Sequence, residues 1–201
     1  MGTPKAQTLQ QRFGFQDKDL STPKHDEIML WLDENILKIL DSFTWIRSLY
    51  RDRGAIELWD SKSIEKKFHL KDKPPFPEFK ISSVKKIWEK PVLQKEFCIG
   101  FIDFVAIFNI PVLKVEYKSE GREGKFLWSP DNLEIRINFE VKTAIPSLGE
   151  LFRQIQMYRS YLSSSLNNKF VVVSPDNRFE KQILDQGIGF LKYDPNKVDE
   201  V

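Results

Sequence analysis

The chain has 201 residues, of which 41% are hydrophobic and 30% charged, so one domain with its own core is expected and a disordered tail is excluded. Lys and Arg number 31 against 29 Asp and Glu, and the resulting charge of +2 neither diagnoses nor excludes a nucleic-acid partner. The lone Cys98 excludes an internal disulfide framework and a cysteine-rich zinc site. No apolar run approaches the ~18 residues of a membrane span, and MGTPKAQTLQQRFGF has no apolar signal region, so a cytoplasmic protein without a membrane partner is expected.

Residues 1–21 are polar apart from Phe13, Phe15 and Leu20 and read as an N-terminal arm. Thr22-Pro23 then opens a helix, with proline in the first helical position. Over Lys24 to Leu40 the apolar residues Ile28, Trp31, Leu32, Ile36, Ile39 and Leu40 recur at helical spacing. Asp26 and Glu27 fall in the first turn, where the helix dipole favours carboxylates. Residues 42–78 read as an elaboration. Phe43–Leu49 and Ala55–Trp59 could be short strands, Ser61–Leu70 a charged helix, and Lys73 to Pro77 a break.

From Phe79 to Leu93 the pattern is that of one long strand or a bent pair, with Ile81, Lys85, Ile87 and Glu89 in alternation. Phe97 to Phe108 is nearly all apolar, as a strand buried on both faces should be. Pro111 to Tyr117 reads as another strand, turning through Gly121 to Gly124. Glu134 to Lys142 alternates strictly: Ile135, Ile137, Phe139 and Val141 on one face, Glu134, Arg136, Asn138, Glu140 and Lys142 on the other. Ser147 and Glu150 form a capping box for a helix reaching about Leu162. Lys169–Ser174 is a β-branched strand. Asn177 and Glu180 suggest a second capping box, Gly187 ends that helix, and Gly189–Tyr193 is a last strand. Residues 195–201 read as a tail. The order is α/β: a strand meander feeding a helical crossover.

Asp103 is the only charged residue between Phe97 and Phe108. A buried carboxylate costs several kcal/mol, of order, unless a cation, N–H donors or a metal meet it. The plainer reading is a carboxylate at the strand end, half exposed or paired with an arginine, and a further one is a structural ion pair with Lys142. Glu140 and Lys142 are two apart on a strand, so both leave the same face. That face could be a solvated edge, but a strand feeding a crossover belongs inside the sheet, with its polar side toward a cleft. Two carboxylates can serve as the minimal oxygen ligands of Mg²⁺ or Mn²⁺. A lysine beside them can hold water or offset charge on a phosphate.

Asp103 in GFIDFVA, followed by Glu140-Val141-Lys142, resembles the PD-(D/E)xK nuclease superfamily in its RecB-like, restriction-endonuclease-like branch. Gln154 and Tyr158, four apart on the following helix, match the Q-x-x-x-Y element of RecB-like members. The competing reading makes Tyr158 core and Gln154 solvent-facing. Ile102 stands where the family name has proline, a mild departure.

The resemblance implies a restriction-endonuclease-like core over residues 22–194. That core is a mixed central sheet flanked by helices in α-β-β-β-α-β order, elaborated toward its N-terminus at 42–78. It further implies a deoxyribonuclease with Asp103, Glu140 and the Val141 carbonyl holding Mg²⁺ or Mn²⁺, and with Lys142 positioning water. Gln154 and Tyr158 would orient the lysine or the strand. An acid or histidine from the opening helix joins the site in the family. Glu27 is preferred there as ligand, and His25 is the alternative. DNA contacts are expected from Lys85, Lys86, Arg153 and Arg159. Specificity is expected from residues 42–96 or from a homodimer or partner protein. The alternative function is a non-catalytic nucleic-acid-binding or assembly module of the same fold.

Cys98 has no histidine near it in the chain and reads as core, and His69 lies in a charged stretch without an apparent partner. Gly121-Arg-Glu-Gly124 reads as a hairpin turn, since no phosphate-loop pattern is present.

Overall fold

The alternation over 134–142 sets the middle of the sheet. In the computed structural model, residues 23–47, 79–81, 83–120, 123–162 and 168–196 are described, with backbone only for 113–120 and 123–130. The elements are α1 (Pro23–Ser42), β1 (Val84–Gln94), β2 (Phe97–Glu120), β3 (Glu123–Val141), α2 (Leu148–Tyr161), β4 (Asn168–Ser174), α3 (Glu180–Asp185) and β5 (Gly189–Lys192). The five strands form one sheet in the order β1-β2-β3-β4-β5.

Two residues separate β1 from β2, and two separate β2 from β3. Sheet neighbours joined so tightly run antiparallel. β3 and β4 are parallel, with Glu140 opposite Val172 and Val141 opposite Val173, and β4 and β5 are also parallel. The sheet is therefore mixed, and α2 is the crossover between β3 and β4, as parallel neighbours require.

Of the described residues, those up to Ile39, from Val84 to Ile107 and from Ile135 onward form one compact unit. Those from Leu40 to Ser83 and from Phe108 to Glu134 form a second. The described part of the elaboration expected at 42–78, residues 42–47, thus belongs to a unit that also takes in 108–134. In it, residues 44–47 are helical where a strand was expected over Phe43–Leu49. Phe43 stacks on Trp45 at 6.1 Å, and Arg47 pairs with Asp41 at 2.9 Å and lies over the Phe79 ring at 5.7 Å. The strand expected at Ala55–Trp59, the helix at Ser61–Leu70 and the break at 73–77 lie outside the described residues, as do the arm at 1–21 and the tail from Lys197.

In the first unit, the dry face of β3 is buried as its alternation requires: Ile135, Ile137 and Phe139 have no exposed surface. Phe139 meets Phe104 edge-on at 5.9 Å, and Trp88 meets Phe104 at 6.3 Å. α1 buries Ile28, Trp31, Leu32, Ile36 and Ile39, the face its spacing marked out. Val105, Ile155, Tyr158, Phe170 and Val172 belong to one apolar cluster, which lays α2 onto the sheet.

Four features differ from expectation. Residues 97–108 and 111–117 are one continuous strand, β1 starts at Val84 rather than Phe79, and β3 starts at Glu123 rather than Glu134. The Asn177 box does not form. Phe179 is the N-cap of α3 without a side-chain bond, and the Glu180 N–H is met by the Asn177 carbonyl at 3.2 Å. Gly187 does close α3, at φ 64°, a conformation that favours glycine.

Phe139→Ala removes a fully buried ring from the middle of the sheet. A loss of roughly 3–5 kcal/mol is expected, measured by urea unfolding; a loss under about 1 kcal/mol would show that the Phe104–Phe139 contact is not part of the core.

Candidate active site

Asp103 lies on β2 with only 3% of its surface exposed. Its Oδ2 accepts a hydrogen bond from the Val141 N–H on β3 at 2.7 Å. Its Oδ1 is 3.7 Å from His25 Nε2 on α1. Glu140 is 1% exposed on β3, and its Oε1 takes two contacts, one from a neutral amide and one from a cation. The Gln154 Nε2 donates to it at 2.7 Å, and the Lys142 Nζ lies at 2.9 Å. The polar face of β3 is therefore buried at Asn138 and Glu140, where Gln154 of α2 meets it, while Glu134 at its start is exposed. Asn138, on that same face, is also buried and donates to the Asn168 side chain and the Lys169 carbonyl.

Gln154 also donates to the Tyr158 hydroxyl at 3.1 Å. The Tyr158 ring in turn lies directly on Gly100 of β2: a Cβ there would come within 2.7 Å of Tyr158 Cε1 and Oη. Gly100 is thus required by close approach. Burial, with the Glu140 charge beside it, pushes the Tyr158 phenol well above the usual range, so it stays a neutral hydrogen-bonding group.

The chain leaving β3 is tied down as well. Lys142 N–H donates to the Val173 carbonyl at 2.9 Å, and Ile145 N–H to Asp176 Oδ2 at 3.1 Å. Asp176 is itself clamped by Arg178 at 2.7 Å. Ser147 Oγ then accepts from Glu150 N–H at 3.3 Å, the capping contact that starts α2. A cleft of about 160 Å³ opens beside Lys142 and Gln154, walled by Ile145, Ser147 and Leu151.

The expected residues Asp103, Glu140, Val141, Lys142, Gln154 and Tyr158 are brought together. Val141 contributes its N–H to Asp103; that contact is the one its backbone makes toward the carboxylate pair. Glu27, preferred from the sequence, is held elsewhere: its Oε1 accepts from the Tyr193 hydroxyl at 2.5 Å. His25, the alternative on the same helix, takes the place beside Asp103. The two residues are not on one face of α1: His25 is 3% exposed, while Glu27 is on the exposed side. Burial opposes a charge on His25, but the Asp103 carboxylate, with Asp26 adding less, outweighs it and raises the pKa despite Lys142.

The expected DNA-contacting residues divide. Lys85 and Arg153 are exposed. Lys86 is paired with Asp33 at 2.8 Å. Arg159 donates to the Gly187 carbonyl at 3.0 Å and lies over the Phe170 ring at 5.7 Å, so it serves the fold.

Glu89 was not expected. The sequence assigned it no role, yet it is 3% exposed, its Oε2 is buried without a hydrogen-bond partner, and its φ is 44°. Burial first, then the Asp103 charge, with Asp26 adding and His25 opposing, push its carboxyl up to about 7. The available signal was the Trp88-Glu89-Lys90-Pro91 stretch, where the alternation fails just before a proline.

Among the described residues, no group of three or more His, Cys, Asp or Glu side chains is arranged to hold a metal ion. The donor set suits a hard divalent cation in chemistry: Asp103, Glu140 and the orphaned Glu89 oxygen are buried carboxylates of one unit. No helix among the described residues is long and apolar enough to cross a membrane. No family model, curated protein or solved structure matches the chain.

Gly100→Ala should destabilise by roughly 1–3 kcal/mol by overpacking Tyr158, and the same change in a Tyr158→Ala background should cost far less. Additive losses in urea unfolding would show that Gly100 does not serve the ring. The folded protein holds the Glu89 proton more tightly than the unfolded chain, so wild-type stability should fall as pH rises from 4.5 to about 7 and level off above. Glu89→Gln should match wild type near the acid end and exceed it by roughly 2–3 kcal/mol at pH 8. A gap that does not widen with pH would refute the assignment.

Proposed function

We propose that this chain is a metal-dependent deoxyribonuclease of the PD-(D/E)xK type, with a restriction-endonuclease-like core. The observation that carries the reading is the meeting of Asp103 with the Glu140-Val141-Lys142 element, through the 2.7 Å contact to Val141 N–H. The α-β-β-β-α-β order and the helix that brings Gln154 and Tyr158 over the same site support it.

Asp103 and Glu140 would hold Mg²⁺ or Mn²⁺, with Glu27 no longer the preferred third ligand because Tyr193 holds it. The ion would supply charge stabilisation at a phosphate and a more acidic bound water. Lys142 is 12% exposed, so its ammonium acts where solvent screens little. It would hold the attacking water or offset charge on the non-bridging phosphate oxygens. Gln154 fixes Glu140 Oε1, and Tyr158 fixes Gln154, so both are positioning residues. Lys85 and Arg153 are exposed cations available for the DNA backbone, while a second copy or a partner would supply specificity.

Plasmid and linear DNA should be cleaved with Mg²⁺ or Mn²⁺ by wild type, and Asp103→Ala and Lys142→Ala should each lower the rate by roughly 10²-fold or more. Cleavage unaffected by both substitutions would end this assignment of the site, and no cleavage by wild type with either metal would leave the non-catalytic nucleic-acid-binding or assembly module. Gln154→Ala should lower kcat with little change in binding of DNA, because the glutamine orients Glu140 rather than touching the backbone.

A further inference from the structure

We infer that Glu89 is a third carboxylate of this centre and an oxygen ligand, with Asp103, for a divalent cation of the Mg²⁺ or Mn²⁺ class. The inference deepens the proposed nuclease reading by adding a ligand that neither the D…ExK pattern nor the opening helix supplies.

Three independent features meet at Glu89. It is a glutamate with 3% of its surface exposed, on a strand otherwise flanked by Trp88 and the buried Val92. Its Oε2 is buried and has no hydrogen-bond partner. Its backbone sits at φ 44°, in the left-handed region that residues with a Cβ rarely adopt. Such a residue interrupts the two-residue alternation of its strand and re-aims the side chain, as bulges beside active sites do.

Each feature works against folding. A glutamine or leucine would avoid the buried charge, and a glycine would avoid the strain. The neighbouring charges do not compensate: Asp103 and Asp26 repel the carboxylate, and His25 offsets them only in part. A strained, desolvated carboxylate beside a second carboxylate is a site of surplus negative charge. A hard divalent cation removes that surplus and supplies the partner that Oε2 lacks. The side chains do not already form a three-donor cage among the described residues. Glu89 on β1 and Asp103 on its sheet neighbour β2 are the two carboxylates that such an ion would join.

The test is Mn²⁺ binding to the full chain without DNA, by calorimetry, for wild type and Glu89→Gln at pH 8. Glu89→Gln should fold with a Tm equal to or above that of wild type, because it sheds a repelled charge, yet bind Mn²⁺ at least ~10-fold more weakly. A structural role alone predicts the reverse: a lower Tm and unchanged Mn²⁺ affinity, which overturns the inference. Wild type that binds no Mn²⁺ overturns it as well. Should Glu89→Gln not fold, anomalous scattering from Mn²⁺-soaked wild-type crystals decides, with density against the Glu89 carboxylate required. The two proposals fail separately. Glu89-dependent Mn²⁺ binding without DNA cleavage keeps this inference and ends the nuclease reading. DNA cleavage that depends on Asp103 and Lys142, with unchanged Mn²⁺ binding in Glu89→Gln, does the opposite.

Discussion

One hydrogen bond organises the centre of this protein: the Val141 N–H donating to the buried Asp103 carboxylate at 2.7 Å. An uncompensated carboxylate inside a sheet costs several kcal/mol, of order. Here a backbone donor on the neighbouring strand meets one oxygen and a histidine from α1 stands 3.7 Å from the other. The bond fixes where β2 and β3 present their polar residues. Because Val141 is held, Glu140 and Lys142 on either side of it are both delivered to the side of the sheet covered by α2. The charged groups of the centre are thus a consequence of strand register, and register is among the most strongly specified features of a sheet with a buried face.

From Glu140 outward, support passes through side chains of one helix. Gln154 reaches Glu140, Tyr158 backs Gln154, and the Tyr158 ring rests on the bare backbone of Gly100, three residues before Asp103 on β2. The contacts form a closed circuit: β2 supplies both the acid and the surface that seats the helix which braces the other acid. Lys142 stands at the rim of this circuit, its ammonium on Glu140 and its backbone on β4, next to the cleft that opens beside α2. Preorganised charge of this kind acts without reorganising when a substrate arrives.

Much of this was legible in the chain. The alternation over 134–142, the lone acid in an apolar strand and the i, i+4 pair on a capped helix each reflect a local rule, and local rules survive folding. Residues 97–108 and 111–117 read as two strands by pattern, whereas one strand runs through Pro111. The choice between His25 and Glu27 was beyond the pattern. Both lie in the first turn of α1, and only the tertiary placement of Tyr193 draws Glu27 away. Glu89 was hidden for a related reason: a glutamate in a strand reads as a solvated side chain, and only tertiary packing shows that its carboxylate is buried.

The Tyr193 contacts carry a consequence for the far end of the chain. The residue follows β5 directly, its ring meets Trp31 edge-on at 5.2 Å, and its hydroxyl grips Glu27. It therefore works as a latch that pins the first turns of α1, two residues from the histidine facing Asp103. A C-terminal truncation that reached this tyrosine would loosen the start of the helix and leave the aspartate without its imidazole neighbour. The last strand, though distant in the chain from every acid of the centre, thus helps hold in place the helix that faces one of them.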